Sequence, residues 1–162
     1  MCTVASVGLI SDTHGLLRPE ALVALQGSDL IIHAGDVGKP QIIAQLRALA
    51  QVVAVRGSID KGAWASQLPL TAIAEAGSVQ IYVLHDLVQL DLDPVAAQFK
   101  MVVSGHSHKP GQTERNGVMY LNPGSAGPRR FHLPITVARL DLRTLPWRVE
   151  FVDLSQWEKQ AT

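Results

Sequence analysis

Cysteine is almost missing from this chain. Cys2 is its single representative, so an internal disulfide and a thiolate-rich structural zinc site are both excluded. The shortage fits a reducing compartment, and Cys2, at the chain's start, is read as inert or merely oxidisable. Charge of one sign is missing too. Lys+Arg and Asp+Glu number 14 each, which argues against a general nucleic-acid binder or a membrane-surface protein, since those show a basic excess. No apolar run approaches the ~20 residues of a membrane span. No basic segment followed by a short apolar stretch marks a signal peptide, so the cytoplasm is the expected location. Aromatics are scarce at 5%, and repeats, low-complexity tracts and linkers are absent.

What is present is apolar: 47% of the 162 residues are hydrophobic, enough for the core of one domain spanning 1–162. The first half alternates short apolar runs with helix signals. Val4–Ile10, Leu30–Ile32 and Val52–Val55 read as strands. Pro19–Leu25 and the segment opened by Pro40 read as helices with proline in the first turn, and Ile42, Ile43, Leu46 and Leu49 form a stripe at the 3.6-residue period. Such alternation implies parallel pairing with right-handed crossovers. The second half reads as hairpins and late strands. Thr71–Glu75 and Val79–Leu84 flank Ala76-Gly77-Ser78, and Gln112–Arg115 and Val118–Leu121 flank Asn116-Gly117. Pro94–Lys100 is expected to be a short helix, with Met101–Val103, Ile135–Leu142 and Trp147–Val152 as strands. The expected fold is α/β: a two-sheet αββα sandwich with mixed β-sheets.

Chemistry clusters behind the apolar runs. Asp12 and His14 follow the first strand, Asp36 the second, Ser58 and Asp60 the third, His85 the strand ending at Leu84, and His106 and His108 the strand ending at Val103. Sites of open α/β sheets form at the carboxyl ends of parallel strands, so these segments deliver polar groups to one edge. Carboxylate and imidazole without thiolate suit Mn, Fe or Zn. Asp12, His14, Asp36, His85, His106 and His108 are too many for one ion and enough for two if Asp36 bridges. Two ions about 3.5–4 Å apart clamp the attacking and leaving oxygens of a phosphoryl displacement and generate a hydroxide nucleophile.

At these residues the chain resembles the calcineurin-like metallophosphoesterases, and within them the small YfcE-like phosphodiesterase branch. The resemblance is carried by Ile10-Ser11-Asp12-Thr13-His14-Gly15, His33-Ala34-Gly35-Asp36, Gly105-His106-Ser107-His108, and Asn122-Pro123-Gly124-Ser125 with Pro128-Arg129. It implies a metallophosphoesterase fold over nearly the whole chain. It also implies two divalent ions, Mn foremost with Zn, Fe, Mg, Ni or Co as alternatives. Asp12, His14, Asp36 and His108 would hold the first ion, and Asp36, His85 and His106 the second. The implied activity is that of a phosphodiesterase, a hydrolase acting on a small phosphate ester by in-line attack of a metal-bridging hydroxide. Asp36 as the bridge and His106 as a charge-stabilising imidazole are the implied catalytic residues; His14 is a second candidate to orient substrate.

Two departures stand out. Ser58, in Arg56-Gly57-Ser58-Ile59-Asp60, replaces the family's asparagine, so Ser58 is a weak candidate ligand and the second ion is expected to bind less tightly. Ile59 fills a slot where relatives carry a proton donor. Asp86 stands where the family has glycine, and is expected either to face solvent or to bond a ligand imidazole. Asn122 is read either as part of a tight turn or as a partner of a ligand histidine. Arg129 and Arg130 are candidates to meet substrate phosphate. His33 and Asp60 are read as supports, His132 as a surface residue, and Trp147 and Trp157 as packing. The rival to an enzyme is a protein-interaction scaffold: the retromer subunit resembles the same family and acts through protein contacts. A one-metal, weakened enzyme is a third reading. Either a monomer or a homo-oligomer is compatible with the sequence.

Overall fold

The computed structural model describes residues 4–155; Cys2 and Trp157 lie outside the described residues. Ten strands and two α-helices follow one another as β1 (Ser6–Ile10), α1 (Pro19–Ala24), β2 (Leu30–His33), α2 (Pro40–Arg47), β3 (Gln51–Ala54), β4 (Thr71–Ala76), β5 (Val79–Leu84), β6 (Met101–Val103), β7 (Gly111–Arg115), β8 (Val118–Asn122), β9 (Thr136–Asp141) and β10 (Arg148–Asp153). They build two five-stranded sheets, ordered β10-β9-β1-β2-β3 and β4-β5-β6-β8-β7. Both are mixed. β1, β2 and β3 run parallel, as do β5, β6 and β8, while β9, β10, β4 and β7 pair antiparallel at the flanks. The two-sheet sandwich expected from the sequence is the fold observed.

Its layers follow from side-chain alternation. Val7, Leu9, Leu30 and Ile32 of the first sheet meet Ile81, Val83, Met101, Val103 and Leu121 of the second in the central core. Ile10, Ile31 and Val137 point outward instead, where Ala21 and Ala24 of α1 and Ile42, Ile43 and Leu46 of α2 cover them. Each helix opens on a proline whose missing N–H costs nothing at that position. With both faces covered, β1 and β2 read as unbroken apolar runs rather than alternating ones.

The outer face of the second sheet is finished differently. Tyr82, Leu84, Val102 and Val118 are covered by Phe99 and by Leu87, Leu90 and Leu92. The expected helix at Pro94–Lys100 is a set of turns. Gln98 sits at φ 66, and the Phe99 N–H returns to the Pro94 carbonyl at 2.9 Å. This reversal ends the helix after a single turn.

The parallel strands matter most for function. The carboxyl ends of β1, β2, β3, β5, β6 and β8 lead directly into the loops that hold Asp12 and His14, Asp36, Ser58, His85, His106 and His108, and Pro123-Gly124-Ser125, respectively. Among the described residues, no helix is long and apolar enough to cross a membrane.

Candidate metal centre

The site begins with unusual backbone. Asp12, His14, Asp36, His106 and His108 all adopt left-handed conformations, with φ of 55°, 48°, 55°, 72° and 63°. Such positions cost on the order of 1–3 kcal/mol for a non-glycine residue and survive only where surrounding structure imposes them. Here the loops brace one another. The N–H groups of Asp12, His14 and Gly15 donate to the carbonyls of Gly35, Asp36 and Val37, and Gly105 N–H donates to the His85 carbonyl. Ala126 N–H donates to the Ser11 carbonyl, and Ser125 Oγ to that of Asp12 at 3.1 Å.

Both aspartates are held at one oxygen and turn the other toward imidazoles. Asp12 Oδ2 accepts from Ser11 Oγ (2.6 Å) and from His106 N–H (3.1 Å). Its Oδ1, fully buried, has no hydrogen-bond partner and faces His108 Nε2 at 3.3 Å, His14 Nε2 at 3.7 Å and His85 Nε2 at 4.0 Å. Asp36 Oδ1 accepts from Ile59 N–H (3.0 Å) and from Ser58 Oγ (3.4 Å). Its Oδ2 faces His85 Nε2 at 3.2 Å and His14 Nε2 at 3.5 Å. Two glycines make this closeness possible. A Cβ on Gly57 would fall on Asp36, and one on Gly105 would fall on Ser11 Oγ and Asp12 Oδ2.

The histidines are aimed in the same way. His85 Nδ1 lies 2.8 Å from the Ala34 carbonyl, which can only accept, so Nδ1 carries a proton and Nε2 is the nitrogen turned inward. His14 Nε2 is buried without a hydrogen-bond partner. His106 is set differently: its side chain is half exposed, its Nε2 is 3.8 Å from Asp86 Oδ2, and its Nδ1 faces His85 Nε2 across 3.3 Å.

Electrostatics fit this layout. Burial alone would raise the Asp12 and Asp36 carboxyls. Hydrogen bonds and nearby imidazoles outweigh it: His14, Ser11, His85 and His108 at Asp12, and His85, the Ile59 N–H and His14 at Asp36. Both are held below the usual carboxylate range. Burial would likewise depress His85, but its bonds to Asp36 and to the Ala34 carbonyl win and raise it. Burial, aided by Arg130, lowers His108.

An orphaned buried carboxylate oxygen, Asp12 Oδ1, facing imidazole nitrogens of which His14 Nε2 is itself unpartnered, is the chemistry a divalent cation satisfies. The geometry groups Asp12, His14 and His108 as one such set and Asp12, Asp36 and His85 as another. The residues present therefore fit two ions. Ser58 spends its hydroxyl on Asp36, and His106 stands at the rim beside His85.

The supports fall out clearly. Asp60 accepts from the N–H groups of Val37, Gly38 and Gly57, clipping the Ser58 loop to the Asp36 loop. His33 is fully buried, accepts from Gly35 N–H at Nδ1 and meets Thr13 Oγ1 at Nε2. Asn122 forms no hydrogen bond to a ligand imidazole, and its Oδ1 accepts from Gly124 N–H within the tight turn. Its Nδ2 donates to the Gly105 carbonyl (3.0 Å) and to Ser107 Oγ (3.1 Å), bracing the loop that carries both histidines. Asp86, expected either to face solvent or to bond a ligand imidazole, is partly buried: its Oδ1 accepts from Val88 N–H, and its Oδ2 lies 3.8 Å from His106 Nε2, beyond hydrogen-bond distance. Arg129, Arg130 and His132 are exposed, and Trp147 packs against the central core. The roles of Ser11 and Ser125 were not foreseen. Both lie inside recognisable motifs, but nothing in the sequence says which oxygen they would meet.

Residues 6–145 match the family model of the calcineurin-like phosphoesterase superfamily domain. The chain belongs to this superfamily. It is 33% identical over 148 residues to a probable metallophosphoesterase of Methanothermobacter thermautotrophicus, covering 83% of this chain and 86% of that protein. Among solved structures, Chaetomium thermophilum Vps29 superposes with a TM-score of 0.73 at 18% identity, covering 91% of this chain and 95% of that one. The E. coli phosphoesterase YfcE superposes with a TM-score of 0.66 at 20% identity, covering 92% and 99%. At such identities the two structures speak to the fold alone.

Proposed function

We propose that this metallophosphoesterase domain is a dinuclear phosphodiesterase that hydrolyses a small phosphate ester by in-line displacement at phosphorus. One observation carries the reading: Asp12 and Asp36 each have one oxygen fixed by the protein and the other turned toward a shared group of imidazole Nε2 atoms. A scaffold that never held metal would gain nothing by keeping Asp12 Oδ1 and His14 Nε2 buried and unpartnered.

Asp12, His14, Asp36 and His108 would hold one ion, and Asp36, His85 and His106 the other; Asp36 Oδ2 faces both His14 Nε2, at 3.5 Å, and His85 Nε2, at 3.2 Å. When bound, the pair of ions supplies a water of lowered pKa and a clamp for the oxygens of the displaced phosphate. The chain's own work is positioning. The Ser11 and Ile59 contacts fix the aspartates, and the Ala34 carbonyl fixes the His85 tautomer. Ile59 has no proton to give a leaving alkoxide. His106, half-exposed at the mouth, is the imidazole within reach of an incoming ester and the group expected to orient it.

The test is hydrolysis of an aryl phosphodiester by chelator-treated protein, with Mn, Mg, Zn, Fe, Ni or Co then restored singly. Activity is expected to vanish on chelation and return, most strongly with Mn. Failure to see metal-dependent turnover with every ion would favour the scaffold reading.

A further inference from the structure

A groove of about 410 Å³ opens beside His106, against the outer face of the second sheet. Leu87, Val88 and Tyr120 give it apolar walls. Leu87 and Tyr120 are half-buried and pack into the outer cluster of that sheet. The Arg115 guanidinium, 5.1 Å from the ring centroid, steadies the Tyr120 ring. Val88 is 91% exposed. Asp86 Oδ1 holds it there, accepting from its N–H at 3.1 Å at the start of the 3₁₀ turn Leu87–Gln89. The charged residues on the wall are Asp86 and Lys109, one of each sign, so the groove suits a neutral occupant.

Gly111 borders this groove at the start of β7, opposite Asn122 of β8. Other glycines of the site are required by a left-handed φ, as at Gly35, or by a close approach, as at Gly57 and Gly105. Gly111 has neither reason. Its φ is not left-handed, and a Cβ built on it would meet no atom within 4 Å. Its missing side chain therefore leaves room, and a glycine in a strand often marks where a ligand approaches the backbone. Small-molecule sites are concave and mainly apolar, with a few polar groups that fix orientation. This groove shares His106 with the metal centre, so an occupant of it lies beside whatever the ions hold. A flat ring gains most there, because it buries apolar surface against Leu87 and Tyr120 while freezing few torsions.

We propose that this groove receives an uncharged, ring-bearing arm of the ester, and that Gly111 keeps it open. The inference rests on the phosphodiesterase reading and adds the class of ester to it. The arm is bound much alike before and during the displacement, so blocking the groove is felt in KM more than in kcat.

Steady-state kinetics on Mn-loaded wild type and Gly111→Ile decide the matter, with bis(4-nitrophenyl) phosphate as substrate and inorganic phosphate, which has no arm, as competitive inhibitor. In Gly111→Ile, KM is expected to rise at least about tenfold, the scale of losing one ring's buried apolar surface, while the phosphate inhibition constant and kcat change by less than about threefold. Bound Mn is expected to stay at the wild-type level. An unchanged KM overturns the inference. So does an equal rise in KM and in the phosphate inhibition constant, or a loss of Mn, since each places the damage at the metal centre. If Gly111→Ile does not fold, wild type decides: benzylphosphonate should inhibit at least about tenfold more tightly than methylphosphonate, and equal inhibition overturns the inference. If wild type shows no metal-dependent turnover, the phosphodiesterase reading fails. Calorimetric titration of the Mn-loaded proteins with the same two phosphonates then still judges the groove: a preference for the ring in wild type that Gly111→Ile loses supports it, and equal or absent binding overturns it.

Discussion

The two halves of the site are built to different standards. Around Asp12, the surroundings are closed apart from the partly exposed His14: Asp12, His108 and the supporting Ser11, Thr13 and His33 are buried, and Ser125 and Ala126 tie the loop from a distant strand. Around Asp36 the inner residues, Asp36 and His85, are buried as well, but the outer ones are not. His106 is half exposed, and Ser58 stands at the surface with its hydroxyl directed to Asp36. The contrast suggests a division of labour. On the dinuclear reading proposed above, the closed half would hold its ion permanently, and the open half would be where an ion exchanges and an ester enters.

Breaking the closed half should have the largest effect. Asp12→Asn keeps the shape but removes the charge of the oxygen that faces His14, His85 and His108. Turnover is expected to fall by more than the roughly 10–100-fold that follows deletion of a supporting group, with loss of tightly held metal on elemental analysis. Wild-type metal content in this variant would remove the distinction between the halves.

Next comes packing. Gly105→Ala drives a methyl group into Ser11 Oγ and Asp12 Oδ2, and overpacking of this kind costs about 1–3 kcal/mol. Denaturant unfolding should show that loss in metal-free protein, together with weaker retention of the more tightly held ion.

His33 provides a pH test of the closed half. Burial pushes it from 6.5 down to about 4, so it is neutral in the folded protein where the unfolded chain is protonated. Its contribution is unaffected above pH 6.5 and is lost as pH falls from there toward 4, with a limit of roughly 3 kcal/mol. Chemical denaturation of metal-free wild type and His33→Gln at pH 7.5 and pH 5 isolates this share. The variant is expected to show the shallower pH dependence; parallel curves would contradict it.

The smallest expected effect sharpens the open half. Ser58→Asn restores an amide carbonyl where the serine hydroxyl is short and already committed to Asp36. The weaker Mn affinity is expected to improve by up to about tenfold, the scale of a single outer-sphere adjustment, with the tighter one unmoved. Equal affinities at both sites in both proteins would end the idea.

Much of this was legible in the sequence. Apolar runs followed at once by Asp or His gave the strand ends, and the parallel pairing then placed Asp12, Asp36, His85 and His106 on one edge. Two things were not legible, each for a physical reason. The Pro94–Lys100 segment has the pattern of a helix, yet it ends at a left-handed Gln98, after which Phe99 packs over the second sheet. Asn122 was close enough to the histidines to suggest a side-chain bond. Only the loop's path shows that it supports the Gly105 carbonyl instead.

The most direct measurement is titration of metal-free protein with Mn²⁺, following bound metal and phosphodiester turnover together. Two binding steps of unequal affinity are expected, with turnover rising chiefly as the weaker one fills. A single step, or turnover complete before the second ion binds, would contradict the unequal two-ion centre. Turnover that ignores Mn²⁺ altogether would contradict metal dependence itself.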